Sequence, residues 1–330
     1  MFSDDESILG YGRHIMDEFS FENGDVLKNV EVEYSVYGSP KYDDEGRITN
    51  AIIYCHKFNG NYSSYLDEYH LTGEGEPFDY NDYCFISITS LGFPNSCSPS
   101  TTGLKHNFPS YTLKDRVNFK RQFLKEKFNM DRVHGLAGRG VGGYEIYTWA
   151  CEYPDEMDFF IVGDSSFKTN GYRYVISKAI DSIIESTDDF YNEIYSETLS
   201  RMMVSIYRLL YSNHFSKQIF QEMSNDEIDV LMDDFVDEGL FTDIYDFKFR
   251  NDCIIDYDVE DKLKNIKAKA FIISSPDHLY FSPVHDAVPL EDLIENSKIL
   301  LYESQKDPSG YVDYTPLMDD FNEFLNDIKE

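Results

Sequence analysis

Short apolar strings recur along the chain at 30–38 (VEVEYSVYG), 51–55 (AIIYC), 84–90 (CFISITS), 132–137 (RVHGLA), 159–164 (FFIVGD), 269–275 (KAFIISS) and 298–304 (KILLYES). From residue 51 onward they are nearly continuous in apolar residues, which is how strands covered on both faces read. Between them, apolar residues spaced three and four apart predict helices at 113–128, 143–152, 284–295 and 315–328. Strand and helix in alternation define a doubly wound α/β domain with a mostly parallel central sheet.

The alternation stops between residues 168 and 262. Stretches such as RYVISKAIDSIIEST and ETLSRMMVSIYRLLYS carry helical periodicity and no strand signal. The chain therefore divides into a first core segment (1–167), a helical lid inserted between two strands (168–262) and a second core segment (263–330). The acidic amphipathic stretch NDEIDVLMDDFVDEG belongs to that lid, and its apolar stripe is expected to face the lid's own core.

Charge narrows the partners. The 29 Lys and Arg stand against 61 Asp and Glu, a formal net charge of −32, which repels phosphate backbones and anionic lipid surfaces and argues against nucleic-acid and membrane partners. The five cysteines form no CxxC pair, so they are expected to be reduced and mostly buried. The opening MFSDDESILGYGRH lacks a signal-peptide core, and no apolar run approaches a membrane span, so a soluble cytoplasmic protein is expected. The eight histidines give no HxxH or HxxxH pair, and neither a metal nor any other cofactor is expected.

Chemistry concentrates in HGLAGRGVGGYE, residues 134–145, a glycine-rich turn between a predicted strand and a predicted helix. Two readings compete. As GxGxxG, Gly138, Gly140 and Gly143 would cradle a dinucleotide pyrophosphate, with Asp164 about twenty residues on to meet the ribose; Arg139 would then crowd the phosphate, and several strands already lie upstream. As the GxSxG elbow of a hydrolase, the turn carries Gly140 where the serine nucleophile belongs. Glycine takes that strained backbone without penalty.

Several motifs extend the second reading. YSVYGSPKYDDEGRITNAIIYCHKFNGNYSSY, DYCFISITSLGFPNSCSPSTTG, FPSYTLKDRVNFKRQFLKEKFNMDRVHGLAGRGVGGYEIYTWACEYPDEMD and IKAKAFIISSPDHLYFSP, in that order, resemble the homoserine O-acetyltransferase family. The resemblance spans roughly residues 19–165 and 264–328. It implies an α/β-hydrolase fold with a helical lid, a homodimer formed through that lid, and a small-molecule pocket beneath it.

Position by position, the resemblance makes Gly140 a vacant nucleophile position, Asp277 the retained triad acid and Pro308 a vacant base position, since the family's Ser-x-x-Gly-His is here Ser304, Gln305, Lys306, Asp307 and Pro308. It assigns the oxyanion-binding amides to Phe58 and Val141, and puts Ser177 in place of a substrate-binding arginine. The last histidine is His285, ahead of the final strand. Without serine and histidine, nucleophilic acyl transfer by this route has no engine, and the expected role is binding, regulatory or structural. An active hydrolase or acyltransferase would need relocated residues, drawn from Ser165, Ser166, Cys151, His56 or His278.

Overall fold

The computed structural model describes residues 9–68, 71–212, 217–276, 278–302 and 314–329. Eight strands form one sheet: β1 (Gly10–Ser20), β2 (Val26–Gly38), β3 (Ala51–Cys55), β4 (Cys84–Ile88), β5 (Gly135–Arg139), β6 (Phe159–Gly163), β7 (Lys269–Ser274) and β8 (Ser297–Leu301). Their spatial order is β1-β2-β4-β3-β5-β6-β7-β8. β2 runs antiparallel to both β1 and β4, and every other pair is parallel.

Helices cover the sheet: α1 (Pro99–Thr102), α2 (Leu113–Phe128), α3 (Val141–Glu152), α4 (Gly171–Ile184), α5 (Asp188–Tyr191), α6 (Glu197–Ser212), α7 (Lys217–Glu222), α8 (Asn225–Phe241), α9 (Ile244–Ile255), α10 (Leu290–Leu293) and α11 (Met318–Lys329). The period-two geometry of a strand sends alternate residues to opposite faces. In β3, Ala51, Ile53 and Cys55 join the core beneath α2 and α3, whereas Ile52 and Tyr54 join the one beneath α11. A third apolar cluster binds α4, α6 and α9 to one another through Ile180, Ile206 and Phe247. These helices are chained between β6 and β7, where the sequence carries no strand signal.

Three elements depart from the sequence reading. Strand β1 was not expected, because its burial alternates irregularly and only Met16 and Phe19 are buried while Tyr11 and Ile15 lie exposed; it forms by pairing along nearly the whole length of β2, which itself begins at Val26 rather than Val30. The helix expected at 284–295 is broken into a single π-turn at Pro283–Ala287 and the short α10, with Pro289, which has no N–H to give, between them. The strand expected from residue 132 starts at Gly135.

Helix α3 is pinned from behind by charge. Glu145 on α3 is fully buried and pairs with Arg116 and Lys120 of α2, both also fully buried. The Ser90 hydroxyl after β4 donates to the same carboxylate at 2.9 Å. Burial alone would raise the Glu145 carboxyl, but Arg116 and Lys120 outweigh it and hold it down at about 2. Removing one member of such a group strands the others in the interior. Glu145→Gln is therefore expected to lower unfolding stability by about 3–5 kcal/mol in denaturant titration, whereas joint replacement of Arg116, Lys120 and Glu145 by apolar residues of similar volume should recover most of that loss.

Candidate functional site

The site is built on the turn from β5 into α3, in the interior of the sheet between β3 and β6. Gly140 caps α3 with φ +54° and ψ −124°, a conformation that strains any residue with a side chain. Its N–H is shared between the carbonyls of Gly163 and Asp164, at 3.2 and 3.1 Å, and its carbonyl accepts from the Ser165 hydroxyl at 2.6 Å. The neighbouring glycines serve contact rather than conformation. A Cβ at Gly138 or Gly142 would collide with the Cys55 carbonyl oxygen, and one at Gly143 with the Ser165 side chain. A Cβ at Gly140 itself would meet, among the described residues, only Cε2 of Phe281 at 4.0 Å.

This geometry answers the dinucleotide reading. Asp164, the acid that would have held a ribose, is buried, accepting from Ser275 N at 2.8 Å and from the Tyr302 hydroxyl at 2.7 Å, with the Arg139 guanidinium 3.6 Å away. Gly138 and Gly143 are glycines because strand and helix pack tightly there, not because a pyrophosphate approaches.

Each described candidate for a relocated catalytic group already has another task. The Ser165 hydroxyl is given to Gly140 O, and Ser166 Oγ accepts from Lys168 N at 3.2 Å. The Cys151 thiol is pushed up to about 12 by burial and stays protonated at neutral pH. His56 is fully buried; its Nε2 accepts from Ser90 N at 2.9 Å, so its Nδ1 carries the proton and donates to Lys57 O at 2.8 Å. His278 accepts through Nδ1 from Tyr280 N and Phe281 N, at 3.2 and 3.3 Å, which uses its lone pair as a base would need it. Burial lowers its pKa further below the ordinary range. Asp277 and Pro308 lie outside the described residues.

The two amides assigned to an oxyanion hole stand at the ends of adjacent strands. Phe58 follows β3, and Val141 opens α3 at the end of β5. Among the described residues, neither backbone N–H has an acceptor in the surrounding turns. Phe58 is held from the other side, its carbonyl accepting from Arg250 Nη1 at 3.1 Å and its ring packing on Phe247 at 5.4 Å. Sequence reading overlooked two features here. One is the Arg139–Asp164–Tyr302 group, whose only sequence signal is an arginine in the glycine turn. The other is Arg173 on the first turn of α4, buried between the rings of Phe58 and Tyr280.

Strand order, elbow turn and helices chained between β6 and β7 define an α/β-hydrolase fold. No family model matches the chain. A protein of Methanothermobacter thermautotrophicus named "Probable acyltransferase" is 37% identical over 290 residues, 88% of this chain and 89% of that protein. A homoserine O-acetyltransferase of Pasteurella multocida is 28% identical over 180 residues, so the match spans about half its length (49% of each chain). Among solved structures, homoserine O-acetyltransferase from Bacillus anthracis superposes with a TM-score of 0.82 at 19% identity, covering 97% of this chain and 98% of that one. The chain belongs to the homoserine O-acetyltransferase-like family of the α/β-hydrolase superfamily.

Gly140→Ala should cost about 1–3 kcal/mol through backbone strain alone, and Gly142→Ala should cost more, because its Cβ meets backbone; urea midpoints rank the two. Burial, helped by the Lys120 charge, holds the His56 imidazole at about 3 instead of 6.5. The unfolded chain thus takes up a proton that the folded chain refuses, so the stability from neutral His56 is complete above pH 6.5 and drains as the pH falls toward 3. The stability advantage of wild type over His56→Asn should shrink from pH 7 to about pH 4.5.

Proposed function

We propose that this chain is a non-catalytic member of its family, in which the fold's reaction site has become a small-molecule binding site with a regulatory or structural role. The observation that carries the reading is Gly140. The position that aims a nucleophile at the substrate has no side chain and a backbone that glycine alone takes without strain. The engagement of Ser165, Ser166, Cys151, His56 and His278 elsewhere supports it. The open N–H groups of Phe58 and Val141 are the family's oxyanion donors on this reading, kept as a polar anchor for a bound carbonyl or carboxylate.

The helices of residues 168–262 act as the lid over this site, and the lid also forms a homodimer. Exposure of Val230, Leu240 and Phe241 on α8 supports an interface there. Sedimentation at micromolar concentration should give twice the 38.5 kDa of the chain; a 38.5 kDa species alone would remove the dimer.

The non-catalytic reading is tested by repair. Wild type, Gly140→Ser, Pro308→His and the double variant are assayed for hydrolysis of p-nitrophenyl acetate. A serine without a base is a weak nucleophile, so neither single change should produce turnover, and Gly140→Ser should only lose stability. Any gain should appear in the double variant alone, since nucleophile and base act as a unit. Turnover by purified wild type would contradict the reading.

A further inference from the structure

We infer that the free edge of β1 is a second self-association surface, at which two copies of the chain pair their β1 strands antiparallel about a two-fold axis at Ile15. This surface is separate from the lid and does not depend on the proposed binding role. Strand β1 ends the sheet, and among the described residues it pairs with β2 alone. Glu33 O accepts from Thr89 N at 2.9 Å and Ser39 N donates to Tyr83 O at 3.1 Å, so the odd-numbered residues along this part of β2 direct their backbone groups to β4. The even-numbered Val32, Tyr34 and Val36 therefore face β1, where they lie opposite His14, Gly12 and Gly10. Tyr11, Arg13 and Ile15, in between, turn their N–H and C=O groups outward.

An unpaired edge is a template for another strand, and charged side chains are a common device for blocking it. The charges of β1 are instead placed to complement a second copy. Tyr11, Arg13, Ile15 and Asp17 follow one another at the two-residue period, with Tyr11 51% and Ile15 61% exposed, while His14 and Met16 face α2. A two-fold axis at Ile15 sets that residue against its own copy and Arg13 against the second copy's Asp17, twice over. Opposite charges directly across a strand pair stabilise it, and like charges destabilise it. Moving the axis to Arg13 would face arginine with arginine, and moving it to Asp17 would face aspartate with aspartate. Only the register centred on Ile15 joins opposite charges while keeping outward backbone groups opposite outward ones.

The groups that would meet are available within each copy. Arg13 donates through Nη1 to Glu31 at 2.6 Å and through Nε to the Tyr11 hydroxyl, which leaves Nη2 for a further carboxylate. Asp17 has no hydrogen bond or ion pair among the described residues. The seam is short, because beyond Asp17 the alternation slips: Asp17 and Glu18 are both exposed, and Phe19 joins the same core as Met16. Each copy thus contributes Arg13 to Asp17. So small a contact, between copies that each carry a net charge of −32, belongs to high protein concentration and to salt that screens the rest of the surface. The same patch serves both copies, so the pairing closes on itself; combined with a lid interface it builds tetramers or longer chains.

Hydrogen exchange of the full chain, read by mass spectrometry from micromolar to submillimolar protein at physiological salt alongside sedimentation, tests this. Protection of the peptide spanning residues 10–20 should rise with concentration, in step with sedimenting mass. Asp17→Arg, which faces arginine with arginine, should weaken the association at least about tenfold. Arg13→Asp combined with Asp17→Arg restores opposite charges across the axis and should recover most of it. Ile15→Pro removes the outward N–H at the axis, spares the ladder to β2 and should abolish the seam; Asp17→Arg, at an exposed position, serves if that variant does not fold. Phe241→Asp, at the end of α8 in the lid, should leave the protection of β1 unchanged. Protection of β1 that does not vary with concentration, or that persists undiminished in Asp17→Arg, would overturn the inference. So would protection arising instead at residues 297–301, the opposite edge of the sheet. An association abolished by Phe241→Asp and untouched by Asp17→Arg would leave the lid as the interface and overturn this one.

Discussion

The structure turns on one close approach. At the end of β5 the chain reverses into α3 with almost no room, the α3 backbone pressed on the Cys55 carbonyl on one side and on Ser165 on the other. That packing requires glycine at positions 138, 142 and 143, and the turn itself requires the positive φ of Gly140. In an active hydrolase the same turn holds a serine at the cost of backbone strain. Here the strain is relieved and the architecture around it is kept. Where no hydroxyl is required glycine is the lower-energy occupant of such a turn, so Gly140 and retention of the turn are compatible.

What surrounds the turn is built to stay still. The Glu145 group ties α3 to α2 and to the loop after β4, and His56 ties that loop to the end of β3 through Ser90 N. Arg250 fixes the Phe58 carbonyl from α9, while Tyr280 reaches Leu210 O on α6 at 3.2 Å. The core and the helices between β6 and β7 thus meet through polar contacts with defined geometry. Such rigidity serves a binding site as well as a catalytic one, because a preorganised pocket loses less entropy on taking its ligand.

Most of the fold was legible in the sequence, for a simple reason. Strands buried on both faces leave runs such as AIIYC and FFIVG, and α2 carries its own signals, a Thr112 cap answered by Asp115 and an Asn129 stop. β1 was illegible because it is an edge strand, exposed along most of its length and stabilised by its partner rather than by its own composition. Gly140 at a sharp strand-to-helix turn was legible from the motif alone. Arg173 was not, since a lone arginine in a helical stretch reads as a surface residue, and only folding encloses it between two rings. The role of Asp164 was not legible, because spacing from a glycine turn cannot tell a ribose ligand from a buried carboxylate bound by Ser275 N and Tyr302.

Whether any group in this site can accept an acyl or phosphonyl unit is tested most directly by intact-mass spectrometry. The full chain is incubated with a fluorophosphonate, which labels an activated hydroxyl, and separately with an activated acyl ester. An unchanged mass is expected in both cases, with labelling arising only when a nucleophile is restored at position 140 together with a base. A stoichiometric adduct on the wild-type chain, mapped by peptide analysis to a residue lining the space above Gly140, would contradict it.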